Sequence, residues 1–435
     1  MTIEDGVRAV DVGVATDGTV PEDEVRLPSE FVDLAAELDG RDPLAAHRSE
    51  FVLPDGVLAY LDGNSLGRPL RVTRERLAGF VDGEWGERLI RAWDESWMDR
   101  PTTVGDQVGR AVLGAAPGQT VVGDSTTVML YKLIRAAVDA RPERTEIVAD
   151  TENFPTDRFV LARIAAETGR TIRWIEPDPA TGVQRHEVDA LLGDRTALVV
   201  LSHVAYKSAY IADLPGITAA AHRAGALVLW DLCHSAGVVG TELDAADVDL
   251  AVGCTYKFLN GGPGAPAFGY VARRLQDELT QPIPGWMGHA EPFAMGPDYV
   301  PATGIRRFLS GTPPILSMIP IEDMLALIER AGMPAVREKS VRLTEYAIQV
   351  ADEVLAPLGV VVASPRDAAV RGGHVTLEHD AMRTVVEELW RRGVIPDFRP
   401  PRGLRVGLSP LSTSFGELAT ALAHVRQILE EGPCA

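Results

Sequence analysis

The stretch DLAVGCTYKFLNGGPGAPAFGYV, residues 249–271, places a lysine just after an apolar run and just before a glycine-rich turn. Lysine is rare in this chain, because only four occur among 435 residues: Lys132, Lys207, Lys257 and Lys339. A lysine that serves solubility usually lies on a helix surface, whereas Lys257 follows a segment with the composition of a buried strand. The position therefore predicts a chemical role for Lys257.

Apolar runs of this kind alternate with helical patterns through the middle of the chain. The runs TALVVLS, ALVLWD and DLAVGC are almost wholly apolar, which is typical of parallel strands covered by helices on both faces. After residue 314 the pattern changes to long helices, short strands and a terminal helix. We therefore predict an α/β fold, with a large domain on a parallel or mixed sheet and a smaller α+β domain.

The same patterns give expected domain boundaries. We expect an acidic, disordered extension over residues 1–25 and a segment over 26–60 that joins the small domain, with Ser29 as the cap of its helix. The large domain is expected over 61–312 and the small domain over 313–435.

Composition limits the classes of function. The 46% of hydrophobic residues supply a sizeable core, and a net charge of −20 disfavours nucleic acid and anionic membranes as partners. No apolar run reaches the ~18 residues of a membrane helix, and the acidic N-terminus lacks the features of a signal peptide. Three cysteines give neither a disulfide framework nor a zinc spacing. We expect a cytoplasmic protein without a metal.

Three polar residues follow predicted strands at the point where each strand ends. They are Ser202, Asp231 and Lys257. Ligands of open α/β sheets bind at the carboxyl edge of the strands. A buried carboxylate needs a cation or hydrogen-bond donors, and a neutral lysine amine is a nucleophile for carbonyls. Taken alone, Asp231 and Lys257 could equally form a buried structural ion pair.

Two further motifs add to this group. In GDSTTVML, Thr126 and Thr127 start a predicted helix, whose free N–H groups favour a phosphate. In TENFPTD, Phe154 lies in a polar turn after a strand and could cover a flat ring. Taken singly, the two motifs could be helix capping and core packing. Together with Asp231 and Lys257 they match the needs of pyridoxal phosphate: a lysine for the aldehyde, an acid for the pyridine nitrogen, a phosphate site and an aromatic cover.

Several motifs extend the match to one family. YLDGNSLG, EWG, FPTD, WDLCHSAG, GCTYKFLNGGPGAPAF, GWMGH and PDFRPPRGLRVGLSPL occur in that order from about residue 28 to the C-terminus. This series resembles the kynureninases, in the class V branch of the aspartate-aminotransferase-like enzymes. The resemblance implies a large domain with a mostly parallel seven-stranded sheet and a homodimer with active sites at the subunit interface. It also implies hydrolysis of L-kynurenine to anthranilate and L-alanine in tryptophan catabolism.

The resemblance further implies roles for individual residues. Lys257 would form the Schiff base with the cofactor and move the substrate α-proton, Asp231 would face the pyridine nitrogen, and Tyr256 would transfer a proton at the β-carbon. Arg405 would bind the substrate α-carboxylate. The implied cofactor contacts also include Thr126, Thr127, Phe154, Asp157, Ser202, His234 and, from the partner subunit, Trp286 and Thr312. The implied substrate contacts also include Trp93, Asn64 and Gly311.

Other functions stay open from the sequence. The chain could be an aminotransferase or a cysteine desulfurase of the same fold, or a binding protein that keeps the fold without catalysis. It could also be a kynureninase that serves secondary metabolism with a substituted kynurenine. Ser412 stands in PLST where many relatives have tyrosine, and Ala209 replaces a common glycine. Trp93 and Thr312 resemble the bacterial pattern that prefers L-kynurenine to its 3-hydroxy analogue.

Overall fold

The computed structural model describes residues 25–432. The predicted extension, apart from Val25, and Cys434 lie outside the described residues. The strands, numbered along the chain, are β1 (Ala59–Tyr60), β2 (Thr120–Val122), β3 (Glu146–Asp150), β4 (Thr171–Ile175), β5 (Thr196–Ser202), β6 (Leu227–Asp231), β7 (Leu250–Gly253), β8 (Phe268–Val271), β9 (Val361–Val362), β10 (His374–Glu378), β11 (Val394–Ile395), β12 (Asp397–Arg399) and β13 (Gly403–Gly407).

Eleven α-helices lie between and beside these strands in the described part of the chain. They are α1 (Ser29–Gly40), α2 (Arg71–Gly79), α3 (Arg100–Val108), α4 (Thr126–Asp139), α5 (Pro155–Thr168), α6 (Arg185–Asp189), α7 (Leu214–Arg223), α8 (Ile315–Ala331), α9 (Met333–Val350), α10 (Met382–Arg391) and α11 (Phe415–Glu431).

The largest sheet has seven strands in the order β2-β8-β7-β6-β5-β3-β4. Strand β8 runs antiparallel to both of its neighbours, and the pairs from β7 to β4 are parallel. Every residue of β3, β6 and β7 is buried, because helices cover both faces of the sheet. The carboxyl ends of β2, β3, β5, β6 and β7 consequently meet at one edge, which confirms the predicted α/β class with a mostly parallel seven-stranded sheet.

The C-terminal part is built on a four-stranded antiparallel sheet in the order β12-β13-β10-β9. Its buried core includes residues from α1, α9, α10 and α11. The N-terminal segment therefore packs with the C-terminal part, through α1 and through the parallel pairing of β1 with β11. The core of the large sheet, in contrast, extends through α8 to Val336. We propose that the small domain begins in α9, some twenty residues after the expected boundary at 313.

Two local expectations differ from the structure. Ser29 is the first residue of α1, and the cap position is Pro28, which has no side-chain hydrogen bond. Strand β7 ends at Gly253, so Lys257 lies in the loop that follows the strand. Within this loop, Thr255 Oγ1 donates to the carbonyl of Pro266, just before β8, at 2.5 Å.

Candidate active site

Several of the predicted site residues lie at the carboxyl edge of the large sheet. Asp231 is the last residue of β6 and pairs in register with Ser202 on β5. Lys257 follows β7, Phe154 follows β3, and Thr126 begins α4 just after β2. Parallel strands deliver these residues to one place because their carboxyl ends share an edge.

The amine of Lys257 bonds to a neutral partner. Its Nζ lies 2.9 Å from Nε2 of His234 and 5.9 Å from the centroid of the Phe154 ring. Burial, and then the charge of Lys257, hold the pKa of His234 well below its usual range. His234 is therefore neutral at physiological pH and can accept a hydrogen bond from the lysine.

The carboxylate of Asp231 is held by neutral donors. Its Oδ1 accepts from the backbone N–H of Cys233 at 2.8 Å, and its Oδ2 lies 3.5 Å from the Ser202 hydroxyl. That hydroxyl donates to Asn153 Oδ1 at 2.8 Å. Within residues 25–432 no ion pair joins Asp231 to Lys257, so the structural ion pair that the sequence left open does not form in this structure.

Two more carboxyl groups lie at the carboxyl edge of the large sheet. Asp157, in the first turn of α5, is 3% exposed, and its pKa is raised well above the usual range by burial and by the charges of Asp231 and Asp150. Burial raises the pKa of Asp150 to about 7. Both carboxyl groups therefore hold a proton more readily than an exposed aspartate does.

Arg405 lies in the middle of β13 with its side chain fully buried. Its Nη1 donates to the carbonyl of Tyr206 at 2.9 Å and its Nη2 donates to Ser65 Oγ at 2.7 Å. The same Nη2 lies 2.7 Å from Asp397 Oδ2. With the amide of Asn64 oriented to satisfy both its ends, its oxygen accepts from Arg405 Nε at 3.1 Å. Burial lowers the pKa of Arg405 to about 10, so the guanidinium stays charged at neutral pH.

Tyr206 connects the arginine to the lysine. Its carbonyl accepts from Arg405, and its ring meets the Phe154 ring edge-on at 5.4 Å. Phe154 is 37% exposed, so one part of its ring is free to contact a ligand. The predicted carboxylate-binding arginine and the predicted nucleophilic lysine thus lie on two sides of one small group of aromatic rings.

Tyr256 precedes the lysine. Its carbonyl accepts from the N–H of Gly67 at 2.8 Å. Burial, followed by electrostatic interaction with the Cys254 and Cys233 side chains, raises the pKa of the Tyr256 hydroxyl. The hydroxyl is therefore protonated at neutral pH, as a proton donor must be.

The predicted residues for the substrate ring lie in two separate groups. The ring of Trp286 contacts Trp93 at 5.6 Å and Phe293 at 5.9 Å. Gly311 and Thr312 are exposed and line a cleft of about 90 Å³ with Asp124, beside the start of α4. Among the described residues, the ring contacts of Trp286 do not include Phe154, so a single chain does not bring all predicted site residues together.

Two buried polar atoms beside Lys257 can accept a ligand as partner. In the described range 25–432, Asn153 Nδ2 and His234 Nδ1 lack a hydrogen-bond partner. Buried polar atoms are paired in most native structures, so a polar ligand bound here would satisfy both. Pyridoxal phosphate fits this set, because Lys257 can take its aldehyde, Asp231 its pyridine nitrogen and the N-terminus of α4 its phosphate.

Some residues of the site were missed from the sequence. His374 on β10 is fully buried, and its ring lies 5.6 Å from that of His234. Ser65 and Asp397 hold Arg405, although they are 340 and eight positions away from it in sequence. Asn153 alone had a local signal, since it precedes Phe154 in TENFPTD. The other contacts depend on tertiary packing and leave no spacing pattern.

Two solved structures have the same fold as this chain. The apo structure of a cysteine desulfurase from Thermococcus onnurineus NA1 is similar with a TM-score of 0.75 and 18% identity, covering 90% of this chain and 99% of that one. A variant of the cystine C–S lyase C-DES, solved with glycine linked to its PLP cofactor, matches with a TM-score of 0.74 and 18% identity, over 84% and 96% of the two chains. Both likenesses show that this chain shares the fold of these proteins.

Relatives in sequence then identify the family. Residues 336–425 match the family model of the kynureninase C-terminal domain. The kynureninase of Pseudomonas fluorescens is 40% identical over 90% of this chain and 94% of its own length. That of Burkholderia pseudomallei (strain 1106a) is 42% identical over 91% and 95%. The chain belongs to the kynureninase family, which confirms the resemblance, the expected enzyme class and the expected cofactor, pyridoxal phosphate.

Two further features of the described residues concern metal sites and membrane helices. Among residues 25–432, no cluster of three or more histidine, cysteine or acidic side chains has the arrangement of a metal site. Over the same residues, no helix combines the length and the apolar character needed to cross a membrane.

Proposed function

We propose that this protein hydrolyses L-kynurenine to anthranilate and L-alanine with pyridoxal phosphate as its cofactor. The observation that supports this most is the arrangement of Lys257. Its amine has a neutral histidine as its partner, it lies next to an exposed aromatic ring, and it shares that ring system with a buried arginine. This arrangement suits a nucleophilic amine facing an amino-acid substrate.

The proposed roles follow from the chemistry of each side chain. Bound pyridoxal phosphate supplies an electron sink for negative charge that develops on the substrate carbons. Lys257, once its amine is free, accepts the proton from the substrate α-carbon, with neutral His234 orienting it. Tyr256 donates a proton to the β-carbon of the departing alanine part. Asp231 keeps the pyridine nitrogen protonated, and Arg405 binds the α-carboxylate.

The remaining residues bind the phosphate and the ring of the cofactor or support Arg405. Thr126 and Thr127 at the start of α4 bind the cofactor phosphate, and Ser202 contacts the cofactor beside Asp231. Phe154 covers the cofactor ring, and Asp157 and His234 lie at its edge. In addition, Asn64 holds Arg405 in place, as its hydrogen bond to Nε supports.

The pocket for the substrate ring is proposed to include Trp93, Gly311 and Thr312, with Trp286 and Thr312 contributed by the partner subunit of a homodimer. A pocket walled by an indole offers no partner to a ring hydroxyl, which loses water without compensation. L-Kynurenine is therefore the preferred substrate, by roughly 10-fold in kcat/KM over its 3-hydroxy analogue. The wider setting that we propose is cytoplasmic tryptophan catabolism along the kynurenine pathway, with supply of precursors to NAD biosynthesis.

Product analysis tests the proposal. Purified protein loaded with pyridoxal phosphate is incubated with L-kynurenine, with 3-hydroxykynurenine and with other ring-substituted analogues, and aromatic amine and alanine are measured. Equal amounts of anthranilate and L-alanine are expected from L-kynurenine. Transfer of the amino group to a keto acid, or release of sulfur from cysteine, would replace the proposal with an aminotransferase or a desulfurase. Within residues 25–432, Cys233 and Cys254 are both buried, whereas a desulfurase needs an exposed cysteine.

A further inference from the structure

One segment contacts both the lysine loop and the arginine. This segment, residues 62–68 with the sequence DGNSLGR, follows β1 and is here called the connector. It lies between the large sheet and the C-terminal part. It contacts the backbone on both sides of Lys257 and the side chain of Arg405. It can therefore set the distance between these two residues.

At its C-terminal end the connector holds both flanks of Lys257. The N–H of Gly67 donates to the carbonyl of Tyr256 at 2.8 Å, and Asn260 Nδ2 donates to the carbonyl of Arg68 at 2.7 Å. A Cβ on Gly67 would lie 2.5 Å from the carbonyl oxygen of Lys257 and 2.4 Å from Asn260 Cγ. The two segments are therefore in direct contact, and the loop cannot shift without moving the connector.

At its N-terminal end the connector holds Arg405. Ser65 Oγ and the Asn64 oxygen accept from Nη2 and Nε of Arg405, at 2.7 and 3.1 Å. Asp62 lies 3.7 Å from Nη2 and pairs with Gly407 as an isolated parallel bridge. The guanidinium is thus positioned by residues only a few places away from those that hold the lysine loop.

The connector itself is anchored by the side chain of Arg68. Its Nη2 donates to Oε1 of Glu417 at 2.5 Å and its Nη1 donates to the carbonyl of Ser412 at 3.2 Å. Arg68 and Glu417 are 7% and 5% exposed. Glu417, in the first turn of α11, also accepts from the N–H of Tyr60 at 2.8 Å and from Arg48 Nη2 at 3.1 Å. This buried network ties the connector to the C-terminal part.

We propose that Arg68, through its pair with Glu417, is a positioning residue that sets the distance between Lys257 and Arg405. The inference deepens the proposed function and rests on it for the roles of the two ends. An amino acid must reach the lysine-bound cofactor with its amine and Arg405 with its carboxylate at once. A spacing error of about 1 Å between the two ends weakens such a ligand by on the order of 10- to 100-fold.

Two ligands distinguish a changed distance between Lys257 and Arg405 from damage to Arg405 itself. L-Alanine engages both ends, and propionate engages only the arginine. In Glu417→Gln holoenzyme, the affinity for L-alanine, followed by cofactor absorbance, is expected to fall by about 10-fold or more. The affinity for propionate, measured by competition with L-alanine, should change by less than about twofold, because a single contact does not depend on spacing. Neither measurement requires turnover of kynurenine, so the result stands apart from the fate of the proposed function.

A matched variant controls for loss of stability. Asp42 and Lys339 form another buried ion pair at 2.6 Å, between the segment after α1 and helix α9. Asp42→Asn removes a buried carboxylate charge, as Glu417→Gln does, and should lower the melting temperature without changing either affinity. If Glu417→Gln fails to fold, Arg68→Lys replaces it, since lysine keeps the charge but loses the two-pronged contact.

The affinities for L-alanine and propionate distinguish three outcomes. A selective loss of L-alanine affinity in the Arg68 or Glu417 variant supports the inference. Equal loss of L-alanine and propionate would mean that the pair only holds Arg405, and unchanged affinities would mean that it only stabilises the fold. Either result overturns the role in spacing.

Discussion

At the scale of single residues, the four lysines differ in their partners. Lys132, Lys207 and Lys339 each form an ion pair, with Asp124, Glu152 and Asp42 respectively. Lys257, within residues 25–432, has no carboxylate within 4 Å and bonds to His234. Among the described lysines, Lys257 is therefore the one whose amine is not held by a carboxylate, as suits a group that must bond to an aldehyde.

Reduction of the holoenzyme with borohydride should therefore fix the cofactor on Lys257. Peptide mapping is expected to find the pyridoxyl group in the GCTYKFLN segment, and Lys257→Ala should lose both the visible absorbance and nearly all turnover. A Lys132→Ala variant, which removes a buried lysine near the proposed phosphate site, should keep the adduct. An adduct on any of the other three lysines would refute the assignment.

Arg405 faces carboxylates of its own chain, and one of them titrates in a useful range. Asp397 lies 2.7 Å and Asp62 3.7 Å from Nη2. Burial raises the pKa of Asp62 to about 6. Because the pKa is raised, Asp62 is neutral below about pH 6 and becomes charged as the pH rises. The charged form competes with a substrate carboxylate for Arg405.

The KM for L-kynurenine is thus expected to rise by about fivefold, or ~1 kcal/mol, as the pH increases through the Asp62 pKa of about 6. In Asp62→Asn the rise should be much smaller, because the side chain carries no charge at any pH. Steady-state kinetics of both proteins across this range provide the comparison. Parallel pH profiles for wild type and variant would show that Asp62 does not influence the arginine.

At the scale of elements, helix α4 carries the proposed phosphate site. It is 14 residues long, and Ser125 caps it by accepting from Val128 N–H at 3.4 Å. The first N–H groups of a helix lack partners within the helix, and its dipole favours an anion at that end. The hydroxyl of Thr127 adds a donor to this end.

Thr127→Val keeps the side-chain shape and removes that donor. The affinity of the apoenzyme for pyridoxal phosphate should fall by roughly 10-fold or more, since a hydrogen bond to a charged group is worth about 1.5–3 kcal/mol. Thr420→Val is a matched control, because the Thr420 hydroxyl donates to the Gly416 carbonyl on α11 at 3.0 Å. The affinities are measured by titrating both apoenzymes with pyridoxal phosphate. Equal affinities of the two variants would show that the phosphate binds elsewhere.

Elements also show what sequence can and cannot predict. The strands ending in Ser202 and Asp231 were predictable because each is a short apolar run followed by a polar residue, and parallel strands share an edge. The cap at Ser29 was wrong because Pro28 takes the cap position and leaves serine inside the helix. The packing of α8 against the large sheet could not be predicted, since its apolar pattern fits either core. Contacts such as Ser65 with Arg405 arise only when the two parts of the chain meet.

At the scale of the whole molecule, the residues proposed for the substrate ring lie in two separate places of one chain. Trp93 and Trp286 form one group, and Gly311 and Thr312 form the other. Exposed apolar side chains flank the contact between Trp93 and Trp286, including Leu89, Ile90 and Phe293, which are 57%, 76% and 56% exposed. Exposed apolar groups gathered in one region are typical of protein–protein interfaces. A homodimer would cover them and bring Trp286 of one subunit to the Lys257 group of the other.

Subunit complementation tests this arrangement. Lys257→Ala and Trp286→Ala should each have little activity as homodimers. A hybrid dimer of the two holds one site in which Lys257 from one subunit meets Trp286 from the other, and one site without the lysine. Random mixing by mild denaturation and refolding gives hybrids as half of the dimers, so about a quarter of the wild-type activity should return. If Trp286 served the site of its own chain, every site in the hybrid would carry one lesion, and mixing would restore no activity.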